Sequence, residues 1–195
     1  MNHFHLYNQD IFNQYLLCEK EQPDKLSYPL LVSPECLNKT GKILYIGQET
    51  NTWGKDLTSN MTVKELEGLY DSFLQAGATN RPYWKFIKSI IDKSLYESVV
   101  WSNLLLCGKR DGLGTPEVSD DLFRLSTEYL YHLYEVCKPS CVVILSSPRS
   151  IYANLIQSFF ENIGCDILDI ISPSQPILVN LDKNVIWTYH PKYLA

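Results

Sequence analysis

"ILYIGQETNTWG", residues 43–54, is the stretch on which the reading of this chain turns. Four apolar residues run into Gly47; Gln48, Glu49, Thr50 and Asn51 follow, then Trp53 and Gly54. A short apolar run closed by Gly reads as a buried strand. Such a strand presents a carboxylate and two amides at its tip, and the rest of the chain has to say what they are for.

Upstream, Phe4, Ile11, Phe12, Tyr15 and Leu16 stand at helical spacing and predict a helix over about 6–20. "QPDKLSYPLLVSPECLNKTG", 22–41, is Pro-rich and irregular, and is expected to run over the surface before the first strand, 42–47. Downstream, "TVKELEGLYDSFLQAG" opens on Thr62 with Glu65 three residues on, a capping-box pattern, and has Gly77 at its end. "RPYWKFIKSIIDKSLY" is a second helix with Pro82 at an early position, where its missing N–H is harmless. A buried strand is expected over 98–107, a helix over 120–137, a strand over 140–147 and a helix opening on Pro148. "CDILDIIS", 165–172, is expected as a short strand and "NVIWTYHP", 184–191, as the last. Strands alternating with helices predict a parallel sheet covered on both faces. Ligands of such sheets bind beyond the carboxyl ends of the strands.

The 195 residues suffice for a single domain, 1–195, with a full core. With 45% hydrophobic and 20% charged residues, the composition is that of a folded protein and excludes a disordered chain. The net charge of −5 gives no global signal for nucleic acid, although a local basic patch is compatible with it. No apolar run reaches the roughly 20 residues of a membrane span, and the N-terminus lacks a signal peptide's apolar region, so a cytoplasmic protein is expected. Six cysteines are scattered without a CxxC pair. Several sit in apolar segments, which favours reduced core thiols over a zinc or cluster site.

The four expected strand ends each hold polar or titratable groups followed by a cation. The first carries Gln48-Glu49-Thr50-Asn51 before Lys55; the second carries Ser102 and Asn103 before Lys109 and Arg110. The third carries Ser146, Ser147 and Arg149, and the last His190 before Lys192. Cations gathered at one rim of an acidic protein suggest an anionic ligand, with ordinary charged loops as the plain alternative.

In that order the motifs resemble the uracil-DNA glycosylase superfamily. The best-known branch of the family has G-Q-D-P-Y-H as its first motif and H-P-S-P-L as its last; here G-Q-E-T-N stands at 47–51 and H-P-K-Y-L at 190–194. Between them "WSNLLLC", 101–107, looks like the family strand that supplies an Asn. "VILSSPRSIYA", 143–153, looks like the strand and loop that clamp a phosphate. The resemblance spans about residues 40–195. It implies a three-layer α/β sandwich whose short, mainly parallel central sheet has helices on both faces.

The resemblance also implies a chemistry. Breaking an N-glycosidic bond builds positive charge on the sugar and negative charge on the departing base. Glu49 stands where the family's activating Asp stands, to act on water and sugar. A solvated or helix-capping acid is its plain alternative. His190 would stabilise the base oxygen as charge develops there. Asn103 would read the base edge through its amide, unless it only satisfies backbone, and Gln48, Thr50 and Asn51 would line the base pocket. Ser147 would hold a DNA phosphate or cap a helix. Arg149 and Lys192 would approach the DNA backbone, and Leu194 matches the wedge that fills the stack left by a flipped base. Trp53 or Tyr83 would stack on a base or belong to the core.

Three departures stand out. Glu replaces Asp, Thr50 replaces Pro, and Asn51 replaces the Tyr that excludes the thymine methyl in one branch, so base selectivity does not carry over. Cys107 sits where the iron–sulfur branch has a ligand, but the partner cysteines are missing, so neither cluster nor other cofactor is expected. The expected function is a metal-free, monomeric glycosylase acting on uracil or another deaminated base in single- or double-stranded DNA, with no membrane partner. Two alternatives remain: a catalytically inactive module of the same fold that binds a nucleobase or nucleic acid, and a hydrolase of small nucleosides or nucleotides.

Overall fold

The computed structural model describes residues 3–23, 25–38, 41–54, 61–76, 82–91, 97–149, 151–166 and 170–191. Strand β1 (Ile43–Gly47) follows the opening stretch, and its neighbours come from far along the chain. Beside it lie β2 (Val99–Asn103) on one side and β3 (Cys141–Leu145) on the other, both parallel to it. Next to β3 comes β5 (Val185–Thr188), also parallel; β4 (Ile177–Asn180) closes the edge antiparallel to β5. The sheet order is therefore β2-β1-β3-β5-β4. The register pairs Gly47 with Asn103, Ile46 with Ile144 and Leu145 with Thr188. The carboxyl ends of all four parallel strands thus meet along one edge.

Among the described residues five α-helices surround the sheet: α1 (His3–Glu21), α2 (Val63–Gln75), α3 (Pro82–Ile90), α4 (Asp120–Cys137) and α5 (Ile151–Ile163). The crossover from β1 to β2 runs through α2 and α3; those from β2 to β3 and from β3 to β5 run the opposite way through α4 and α5. Right-handed crossovers then put α2 and α3 on one face and α4 with α5 on the other. In agreement, α4 packs against α5; α1 packs against both α4 and α2 and so bridges the two layers. The fold is α/β, with a mainly parallel central sheet. Because helices cover the sheet, Leu44, Tyr45, Ile46, Val142, Ile144 and Leu145 are all buried without alternation. Among the described residues no helix is long and apolar enough to cross a membrane.

Local signals in the sequence have their expected forms. Thr62 Oγ1 accepts from the Glu65 amide, and the Glu65 carboxylate accepts from the Thr62 amide, so the capping box opens α2. On α1 the apolar residues Phe4, Ile11, Phe12, Tyr15 and Cys18 are buried together with Asn8. Asn8 Nδ2 donates to Glu67 Oε1 (2.7 Å) and to the Val32 carbonyl (3.0 Å), and His5 Nδ1 lies 2.8 Å from Glu67 Oε2. Glu67, only 7% exposed, thereby fastens α1 to α2. All six cysteines are free thiols, Cys141 half-buried and the rest buried.

Three expectations change. The irregular segment before β1 does not run over the surface: Leu26, Leu30, Leu31 and Val32 are fully buried. Its backbone is laced to the loop after β2 by Ser27 N–H to Gly108 O (2.8 Å), Leu30 N–H to Leu106 O (2.8 Å) and Arg110 N–H to Lys25 O (2.9 Å). Strand β2 stops at Asn103: Leu104 and Leu105 still bond to the tip of β1, and from Leu106 on the backbone pairs with the segment upstream of β1 instead. The second helix runs Pro82–Ile90; of its expected span, 81 and 92–96 lie outside the described residues. The edge strand is 177–180 instead of 165–172. Of that stretch, 167–169 lie outside the described residues, and Ser172 makes only an isolated bridge to Gln175.

Candidate functional site

Gly47 ends β1 at the level of Asn103 on β2. A Cβ at position 47 would stand 2.5 Å from Asn103 Oδ1 and 3.2 Å from the Tyr83 ring. The absence of a side chain there is what lets the Asn103 amide lie across the strand end. Past the strand ends, Leu104 N–H donates to Gly47 O and Leu105 N–H to Gln48 O, both at 2.9 Å, so the two tips stay paired. A Cβ on Gly108 would lie 1.6 Å from the Thr50 carbonyl, so only Gly fits where the two loops touch. Gly108 N–H donates to Ser27 Oγ (2.9 Å), and Ser27 Oγ is 3.3 Å from Thr50 Oγ1. Thr50 is thus gripped from behind by the laced segment.

Gln48 Nε2 donates to Ser146 Oγ at the tip of β3 (3.2 Å). Ser146 is itself fixed, its N–H to Thr188 O and its carbonyl accepting from Trp187 Nε1 on β5. Glu49 Oε2 accepts a hydrogen bond from the Tyr152 hydroxyl, and Tyr152 is in contact with Thr115 Oγ1 at 2.7 Å. Burial first, and the Glu49 charge second, push the Tyr152 phenol far above its ordinary range, so it stays protonated.

Beyond these tips a cavity of about 480 Å³ opens at the carboxyl edge of the sheet. Gln48, Glu49, Thr50 and Asn51 line it from β1, Asn103 from β2 and His190 from the end of β5. Its far wall is aromatic: Trp53, Phe73, Tyr83, Trp84 and Trp101. Trp101 is the hub, with ring centroids 5.5 Å from Trp53, 5.1 Å from Phe73 and 5.1 Å from Trp84. The His190 ring stacks on Tyr83 at 5.9 Å and 22°. Burial drives the Tyr83 phenol well above its usual range, so it is neutral. Trp53 Nε1, Trp101 Nε1, Tyr83 Oη and Asn103 Nδ2 are buried with no hydrogen-bond partner. The Trp101 indole interacts electrostatically with the Tyr83 hydroxyl, but the two do not reach hydrogen-bonding geometry. A wall that combines flat apolar faces with unspent donors suits a planar ligand rich in acceptors.

The structure gathers six of the expected residues, Gln48, Glu49, Thr50, Asn51, Asn103 and His190, around one cavity. Trp53 and Tyr83 are wall residues, serving core and cavity together. Ser147 and Arg149 stand outside it: Ser147 Oγ accepts from the Arg149 amide (3.2 Å), a local turn, and Arg149 is exposed. Lys192 and Leu194, like Lys55, lie outside the described residues. Arg110, counted among the rim cations, is committed to structure, donating to Glu19 Oε1 (3.0 Å) and to the Leu26 carbonyl (3.2 Å). Among the described residues no group of three or more His, Cys, Asp or Glu is arranged to hold a metal ion.

Sequence reading missed Tyr152 and Thr115, and also Leu113, an exposed side chain at the cavity mouth between Gly112 (φ 96°) and Gly114 (φ 92°). The Gly-x-Gly spacing was the available signal. No known family model matches the chain, and no curated protein matches it in sequence.

Proposed function

We propose that the protein is a divergent relative of the uracil-DNA glycosylases that hydrolyses the N-glycosidic bond of a deaminated base in DNA. One observation carries the reading: an acid, an amide and an imidazole from three separate strand ends, Glu49, Asn103 and His190, line one aromatic cavity. A base turned out of the stack would lie against the aromatic wall, with the Asn103 amide on its edge. Glu49 would stabilise the cationic sugar and orient the attacking water. His190, held by its stacking on Tyr83, would donate to the base oxygen as the bond breaks. Asn51, exposed at the rim, stands where the nucleotide's sugar and backbone would enter.

The test is incision of labelled single- and double-stranded oligonucleotides carrying uracil, hypoxanthine or xanthine. Alkali-labile product that disappears in Glu49→Gln and falls in His190→Ala supports the reading; no product from folded protein on any of them refutes it. A second reading, a hydrolase of small nucleosides or nucleotides, is favoured by the commitment of Arg110 to Glu19, which removes a cation from the rim of an already acidic protein. DNA affinity that falls steeply with added salt supports the first reading over the second.

A further inference from the structure

Glu49 is the one carboxylate on the wall of the cavity among the described residues, and its orientation is set from behind. Tyr152, near the start of α5, donates its only hydroxyl hydrogen to Glu49 Oε2. With that proton spent, the Tyr152 oxygen acts as acceptor toward Thr115 Oγ1, 2.7 Å away in the loop before α4. The hydrogen bonds therefore run one way, from Thr115 to Tyr152 to Glu49. Neither Tyr152 nor Thr115 lines this cavity; Tyr152 is buried, and half-buried Thr115 lines a separate cavity of about 430 Å³ with Lys109 and Asp111. A glutamate has one more rotatable bond than the aspartate of the family it resembles, and hence more freedom to lose on being aimed. A buried donor aimed at one carboxylate oxygen removes that freedom in advance.

We propose that Tyr152, backed by Thr115, is a positioning residue that holds the Glu49 carboxylate ionised and fixed in direction for the chemistry of the cavity. The proposal rests on the reading of Glu49 as the working group. Among the described residues, the titratable groups that share the cavity with it are His190 and Tyr83, the latter neutral through burial. A hydrogen bond to the charged form favours that form, so removing the donor makes the carboxylate easier to protonate.

The experiment uses the full chain with Tyr152→Phe, which keeps the ring and loses only the hydroxyl, and Thr115→Val, which removes the outer donor. Carbon-detected NMR follows the Glu49 side-chain carboxyl through a pH titration, with Glu49→Gln assigning the signal. The expected result is a titration midpoint moved to higher pH in Tyr152→Phe, and moved less, in the same direction, in Thr115→Val. On a cleavable oligonucleotide, kcat falls about tenfold or more with KM nearly unchanged, and the acid limb of the pH profile moves up with the carboxyl titration. An unmoved carboxyl titration in whichever variant folds overturns the proposal, as does an unmoved kcat. Wild-type protein that cleaves nothing sinks the glycosylase reading alone, and the carboxyl titration still decides the role of Tyr152.

Discussion

Replacing Gly47 by Ala puts a methyl carbon 2.5 Å from Asn103 Oδ1, roughly 0.9 Å inside the 3.4 Å at which ordinary contact begins. Asn103 is only 5% exposed, so its amide cannot swing into solvent; it must leave its place across the strand end. Overpacking of this kind costs about 1–3 kcal/mol. Against it stands about 0.4–1 kcal/mol of stabilisation, because Ala restricts the unfolded chain and Gly47 is not among the positive-φ glycines. The net expectation is a loss of about 1 kcal/mol or slightly more. The diagnostic quantity is the coupling: in an Asn103→Ala background the closest clash is gone, and Gly47→Ala should become nearly neutral. Urea denaturation followed by tryptophan fluorescence reads both, since Trp53, Trp84 and Trp101 surround the site. A double-mutant cycle giving a coupling of about 1 kcal/mol supports the geometry. Equal costs in the two backgrounds would refute it, because the strain would then lie elsewhere.

Two other perturbations probe the scaffold. Glu67→Ala strips Asn8 and His5 of a shared acceptor and should cost about 2 kcal/mol, with amide exchange in α1 accelerating first; a loss below about 0.5 kcal/mol would mean that α1 is held by its apolar face alone. Burial pushes the Cys137 thiol from 9.0 up to about 11, so the unfolded chain releases its proton first as pH rises. The stabilisation is therefore complete below pH 9 and drains away between about pH 9 and 11, amounting to about 3 kcal/mol. Denaturation midpoints measured across that window should slope down, and less steeply in Cys137→Ala; equal slopes in the two proteins would contradict the assignment.

The parallel part of the sheet was legible because each strand opens on a short run of apolar residues and ends at or beside a Gly, Ser, Asn or Thr, and because Thr62–Glu65 announced α2 locally. Edge strand β4 was not. Its sequence ILVN is as apolar as a core strand, yet Ile177 and Val179 face outward at more than half exposure, so the alternation that marks an edge strand never reaches the sequence. The burial of Leu26–Val32 was equally invisible, since it depends on backbone pairing with residues about 80 positions later. For the site, Glu49, Asn103 and His190 could be read because strand tips are where such sheets bind ligands. Tyr152 could not, because a tyrosine on the buried face of an amphipathic helix has the pattern of a core residue; only the distance to Glu49 separates the two roles. The rim of cations was read from loop composition, and Arg110 shows the weakness of that signal: its partner, Glu19, lies on α1.

The order of strands in the sheet also bears on how the chain is made. Strand β5 is last in sequence but sits between β3 and β4, so during synthesis β3 waits with a bare, apolar edge and β4 emerges with nothing to pair with. At ribosomal speed that interval is on the order of seconds, long enough for an open edge to recruit a neighbouring chain. His190 arrives directly behind β5, so the insertion that seals the sheet also brings the imidazole to the cavity. A nascent chain released before that point would carry Glu49 and its aromatic wall but would have neither a closed sheet nor a complete site.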